Sequence, residues 1–263
     1  MKGINDEAKR ISPDVRVTTA SAEYELNKQF TQIDNFIAAG VDLILISASD
    51  PKGIAPAVKR AQAAGIPVVA VDVSAAGADA TVQTDNTAAG TMACQYLADK
   101  LDHKGNVIIM NGPQVSSIVE RVEGCKRVLA QYPDIKLLSS DQEAKASREG
   151  GMSVMQGYLT RYPSIQGLFS VTDAPTLGAD LAAKQMGRGG IVITSIDGAP
   201  DVIPALKGDS LVQASVAQAP YLIGKTGVDI GSDILAGRKP ENATVLMAPK
   251  LIDRDNVGDY QGW

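Results

Sequence analysis

The sequence predicts a two-lobed α/β protein built on parallel sheets, and three observations carry that prediction. The runs GVDLILIS at Gly40–Ser47 and GIPVVAVD at Gly65–Asp72 are short, apolar and rich in β-branched residues, and GGIVITSID repeats the pattern up to Asp197. An amphipathic segment of helical length precedes each run, and strands apolar on both faces belong to parallel sheets covered by helices. The length of 263 residues is comfortable for two domains of ordinary size. In open α/β sheets ligands bind beyond the carboxyl ends of the strands. Asp72 and Asp197 are therefore expected at a binding site.

The elements follow in order. Ile4, Ala8 and Ile11 share one face of a helix over Lys2–Ile11, and VRVTT predicts a strand at Val15–Thr19. A helix over Tyr24–Ala39 is stopped by Gly40, a residue suited to the left-handed cap position. The strand Leu43–Ser47, a helix over Gly53–Ala64 and the strand Pro67–Val71 come next. The small residues of Val73–Thr84 read as a loop. Asp85 or Asn86 caps a helix that runs to Leu101. The strand Asn106–Asn111 leads through GPQVSS to a helix over Ile118–Gln131. Strands at Ile135–Ser139, Gly167–Val171, Ile191–Ile196 and Leu211–Ala217 then alternate with helices at Ser147–Arg161, Ala174–Met186 and Pro200–Lys207. A long helix over Tyr221–Ala236 and short strands at Thr244–Ala248 and Lys250–Asp253 complete the chain. Such alternation indicates βαβ units. The late strands require the chain to cross back to the first lobe near Gln218.

The bulk numbers exclude several classes. A net charge of −5, a pI near 5.0 and the lack of a basic cluster with interleaved aromatics argue against nucleic acid. No apolar run approaches the length that spans a bilayer. There is no phosphate-binding glycine loop, no G-x-S-x-G elbow, no H-E-x-x-H and no Cys/His nucleophile pair, so neither an enzyme nor a cofactor or metal is expected. His103, the only histidine, sits in the polar stretch LDHKGN and reads as a solvated loop residue. Cys94 and Cys125 lack the close spacing of a zinc or redox motif. Two buried thiols and one disulfide both remain open. MKGINDEAKRI has no signal-peptide core and reads as helix from its start, which suggests a segment upstream of it.

A set of polar groups at strand ends remains. Asp72 follows IPVVAV, Thr172 and Asp173 follow LFSV, Asp197 follows IVITSI and Gln218 follows QASVA. Arg121 lies in IVERVEG, near the start of the helix after strand Asn106–Asn111. Carboxylates and a guanidinium each make several hydrogen bonds to hydroxyls. A neutral, hydroxyl-rich ligand needs that chemistry, because every hydroxyl it buries needs a partner. Asp173 alone reads better as a helix cap or a surface ion pair than as a ligand contact.

GIPVVAVD, TDNTAAG, the ERVEG run, VMQGYL, SIDGAPD and ASVAQ together resemble the ribose-binding branch of periplasmic sugar-binding proteins, from Met1 to about Asp255. The resemblance implies two Rossmann-like lobes with parallel sheets flanked by helices, joined by three hinge crossovers. Residues 1–84 plus 219–248 would form the first lobe and 85–218 plus 249–263 the second. It implies a monosaccharide or polyol bound by Asp72, Arg121, Thr172, Asp197 and Gln218, and delivery to an ABC permease in the inner membrane. The compartment it implies is the periplasm, which favours a Cys94–Cys125 disulfide. The effector domain of a lactose-repressor-type regulator is the alternative on the same fold. Val73, Ala146, Thr172 and Ile196 depart from the arginine, aromatic, asparagine and aromatic that the family pattern expects at these places. The implied ligand is accordingly a monosaccharide or polyol other than ribose itself. The family also begins with a strand and loop that this sequence does not contain, and weak ligand affinity is expected of the chain as it stands.

Overall fold

The computed structural model describes residues 1–263, and the chain divides into two compact units. The first comprises Met1–Thr84, Gln114–Ser117 and Ala219–Met247, and the second Asp85–Pro113, Ile118–Gln218 and Ala248–Trp263.

In the first unit, helices α1 (Lys2–Ile11), α2 (Leu26–Ala38) and α3 (Ala55–Ala63) accompany strands β1 (Ile44–Ile46), β2 (Val68–Val71) and β3 (Ala80–Thr84). The sheet has the order β1-β2-β3-β9, all parallel, where β9 is Thr244–Met247. Val69, Ala80 and Val82 on the strands are buried with Ile223 of a later helix, Pro220–Leu235 (α9 below). The parallel arrangement explains the two-sided apolar run of β2, which is buried on both faces, whereas β9 at the far edge leaves Leu246 exposed.

Two expectations fail here. The expected strand Val15–Thr19 does not form, and Val15 and Val17 lie exposed. Alternating β-branched residues make a strand only when a neighbour pairs with them, and β1, the edge of the sheet, does not. Conversely, the expected loop Val73–Thr84 contains β3, paired on both sides by β2 and β9. ATVQT lacks a strongly apolar pattern, so pairing and burial make this strand rather than propensity.

The second unit is larger. In chain order it contains α4 (Asn86–Lys100), β4 (Gly105–Met110), α5 (Ser116–Leu129), β5 (Ile135–Ser139), α6 (Arg148–Arg161), β6 (Gly167–Ser170) and α7 (Asp173–Gln185). It continues through β7 (Val192–Asp197), α8 (Ile203–Lys207) and β8 (Val212–Ala217), and after α9 and β9 it receives β10 (Lys250–Asp253). The sheet order is β10-β8-β7-β6-β4-β5, parallel except that β10 runs antiparallel to β8. A continuous core beneath it includes Ile108, Met110, Met155, Leu168, Ile193 and Leu206.

Helices α4 and α5 pack closely for an identifiable reason. A Cβ on Gly90 would stand 2.0 Å from the carbonyl oxygen of Arg121, so only glycine lets the helices approach this far. One turn beyond, Cys94 and Cys125 form a disulfide with a Cα–Cα distance of 5.1 Å, which closes the question that composition left open. His103 is half-exposed, accepts or donates at 2.9 Å with Asp99, and stacks on Tyr132.

Candidate functional site

Strands β6, β7 and β8 are neighbours, and their carboxyl ends carry Thr172, Asp197 and Gln218. Asp197 is the last residue of β7 and adopts φ 142°, a backbone region that residues with a Cβ rarely enter. Its side chain is the centre of the site. Oδ1 accepts from Arg121 Nη1 at 3.2 Å and from Gln218 Nε2 at 2.7 Å. Oδ2 accepts from the backbone N–H of Asp173 at 3.2 Å. Burial pushes the Asp197 carboxyl up from the ordinary carboxylate value, against the pull of the Arg121 charge.

Arg121 is almost wholly buried and comes from α5. Its Nε donates to Asn86 Oδ1 at 3.0 Å and its Nη1 to the carbonyl of Val171 at 2.9 Å. The planar fork is therefore fixed between α4, the end of β6 and Asp197. A lysine could supply the charge but not this set of bonds. Asn86 was expected only as a possible helix cap. Asp85 takes that role, accepting from Ala88 N–H at 2.9 Å, and Asn86 turns inward to Arg121.

Thr172 is the residue before α7, and its hydroxyl is buried without a hydrogen-bond partner. Its carbonyl accepts from Thr176 Oγ1 at 2.7 Å and Ser170 Oγ at 3.1 Å. Asp72 belongs to the first unit and directly follows β2. It adopts φ 67° and donates its N–H to the Val82 carbonyl at 2.9 Å. Arg121, Asp197 and Gln218 are thus joined directly, Thr172 lies beside the Val171 carbonyl that Arg121 binds, and Asp72 stands at the equivalent strand end of the other unit.

Asp173 corrects the reading of it as a helix cap or a surface ion pair. It is buried in the first turn of α7 and accepts from Ser195 Oγ at 2.5 Å, Ser215 Oγ at 2.7 Å and Ala199 N–H at 2.8 Å. Loss of water and the neighbouring Asp197 carboxylate push it up to about 7 from 3.8, against the three donors that favour its charge. The sign of the consequence follows from proton linkage. Between 3.8 and about 7 the folded chain keeps a proton on Asp173 that the unfolded chain has released. This stabilisation is complete below the unfolded value and is lost as pH rises through the folded one. Stability should therefore fall across that window by at most about 1.4 kcal/mol per pH unit for one proton, and the thermal midpoint should fall with it. Asp173→Asn should flatten the fall, as seen by melting both proteins across the window. Parallel curves would show that Asp173 is already ionised in the folded protein.

Sequence reasoning missed Asn86 and the inward role of Asp173. Two adjacent cap-competent residues in TDN, where one cap suffices, were the available signal for Asn86. The serines that alternate with apolar residues in β7 and β8, Ser195 and Ser215, were the signal for Asp173.

Comparison with known proteins gives a consistent result. The model of the family described as a periplasmic binding protein domain matches residues 1–239. The chain is 35% identical over 255 residues to the ribose import binding protein RbsB of Bacillus subtilis, covering 96% of this chain and 81% of that protein. It is 32% identical to the xylitol-binding protein of Mycolicibacterium smegmatis, covering 93% of this chain and 70% of the relative. Among solved structures, an ABC transporter periplasmic solute binding protein of Actinobacillus succinogenes with bound D-allose is 28% identical with a TM-score of 0.89, covering 98% of this chain and 93% of that one. A solute binding protein of Agrobacterium vitis bound with α-D-tagatopyranose is 27% identical with a TM-score of 0.91, covering 98% and 90%.

Proposed function

This chain belongs to the periplasmic binding protein family, and from that premise we propose that it is the solute-binding component of an ABC-type importer for a neutral monosaccharide or polyol. The observation that carries the reading is the Arg121–Asp197–Gln218 network at the carboxyl ends of adjacent parallel strands. A fixed carboxylate, guanidinium and carboxamide offer paired donors and acceptors without a net charge to match. That suits hydroxyls and disfavours phosphates. Thr172, with its buried hydroxyl lacking a partner, and Asp72 from the other unit complete the proposed ligand set. The ribose import binding protein and the two ABC transporter solute binding proteins named above serve transport, which favours this reading over the repressor effector domain and over catalysis.

Apart from the short stretch Gln114–Ser117, which is grouped with the first unit, the chain passes between its units at Thr84–Asp85, Gln218–Ala219 and Met247–Ala248. In the proposed cycle these are hinges, sugar binding closes the units on the ligand, and the closed form is what a permease of the inner membrane recognises. The periplasm is the proposed compartment, in keeping with the disulfide. Calorimetric titration to millimolar pentoses, hexoses and polyols tests the reading, with X-ray scattering on the same samples. A saturable heat and a more compact curve are expected for at least one neutral sugar or polyol. Binding of phosphorylated or nucleotide ligands alone would overturn it.

A further inference from the structure

The turn after β7 is held from several directions at once. Gln218 N–H donates to the Asp197 carbonyl at 3.0 Å, Gly198 N–H donates to Ser215 Oγ at 3.0 Å, and Ala199 N–H is the group bound by Asp173. Two further bonds come from the segment that follows β10. Tyr260 Oη donates to the Gly198 carbonyl at 2.6 Å, and Trp263 Nε1 donates to the Asp197 carbonyl at 2.8 Å. Trp263 is the only tryptophan of the sequence.

The Tyr260 ring packs against the core of the second unit, but packing alone explains neither hydrogen bond. Trp263 is 52% exposed, so burial of its ring does not account for its position, whereas its single donor is spent on the carbonyl of Asp197. Tyr260 needs an unusual accommodation. A Cβ on Gly198, at φ 66°, would stand 2.6 Å from the Tyr260 hydroxyl oxygen and 2.5 Å from Ala217 Cβ. Glycine at this position is what lets the phenol reach the carbonyl. The backbone being held is also one that needs holding, because Asp197 sits at φ 142°.

We propose that Tyr260 and Trp263 are positioning residues for the Asp197 carboxylate, clamping the two consecutive carbonyls of its turn so that the side chain keeps its bonds to Arg121 and Gln218 and its aim at the ligand. The inference rests on the sugar-binding reading above and adds to it a pair of residues on another segment that act through Asp197 without touching the ligand. Each aromatic removes a degree of freedom from the turn that the ligand would otherwise have to remove on binding.

Trp263→Phe and Tyr260→Phe test this, since each keeps a ring and deletes only the donor. Ligand affinity is measured by calorimetry, global stability by thermal melting, and local order by amide hydrogen exchange at Gly198, Ala199 and Gln218. Each variant should bind the best sugar of the panel about fivefold more weakly, equivalent to about 1 kcal/mol at 1.4 kcal/mol per tenfold. Exchange at the turn should quicken while the melting midpoint stays close to that of the unaltered protein. A residue that merely supported the fold would lower the midpoint and leave this local pattern unselected. Unchanged exchange at the turn in both variants overturns the proposal, and so does quickened exchange with affinity intact. An unaltered protein that binds no member of the panel sinks the sugar reading instead, and the exchange measurement then decides the positioning of Asp197 by itself.

Discussion

Replacing Arg121 by methionine is expected to weaken sugar binding by at least about 100-fold, more than about 2.8 kcal/mol, and to cost the fold about 3–5 kcal/mol of stability. The two losses have one origin. Methionine fills much of the arginine's volume but takes a donor from Asn86 Oδ1, from the buried Val171 carbonyl and from Asp197 Oδ1, which keeps only the Gln218 carboxamide. An acceptor buried without a partner keeps the full penalty of having left water. Asp197, already pushed up by burial, loses the positive charge that opposes the push and holds its proton to higher pH. A protonated Asp197 presents a different donor pattern to a ligand hydroxyl, so affinity falls even where the fold survives. Arg121→Lys separates the contributions. An ammonium restores the charge beside Asp197 but not the simultaneous bonds to Asn86 and Val171. Part of the stability should return while most of the affinity does not. Titration and melting of both variants check this, and a methionine variant that binds sugar as well as the unaltered protein would remove Arg121 from the site.

The contrast between Arg121 and the groups around it shows how far the sequence was legible. Parallel strands announce themselves because both faces are apolar, and β2 and β7 therefore could be read together with the aspartates at their carboxyl ends. Even so, β3 escaped, because ATVQT becomes a strand through two neighbours that the local sequence does not name. The stretch around Val15 and Val17 erred in the opposite direction, with the right residues and no partner. The site divides in the same way. A charged residue after an apolar strand, or early in the helix that follows one, is visible locally, which is why Asp72, Asp197 and Arg121 could be singled out. Asn86 and Asp173 look locally like helix starts. Only the approach of α5 to α4, and of β7 and β8 to α7, turns them into ligands of Arg121 and of two serines. Tyr260 and Trp263 lie more than sixty residues beyond the turn they bind, and no spacing rule links them to it.

The disulfide should matter for stability more than for recognition, and removing it is expected to cost about 3–4 kcal/mol. Cys94 and Cys125 are 31 residues apart and enclose the end of α4, all of β4 and the first turns of α5. Cross-linking a loop of that size restricts the unfolded chain, and its loss returns that freedom. Both sulfurs are fully buried, so Cys94→Ala with Cys125→Ala adds a small packing loss to the entropic one. The second unit should therefore melt at a lower temperature in the double variant, and also in the unaltered protein once a reductant has opened the bond and the thiols have been blocked. Sugar affinity measured well below the new midpoint should change little. Arg121 lies one turn before Cys125, but it is fixed independently by Asn86, Val171 and Asp197, and Gly90 still allows α4 and α5 to close. Stability and affinity thus respond to different parts of the same helix pair, the covalent link and, one turn away, the buried guanidinium. Equal melting midpoints for the oxidised and the alkylated protein would show that the link constrains nothing that folding needs. An affinity that collapses with the disulfide would show that Arg121 depends on it for its position.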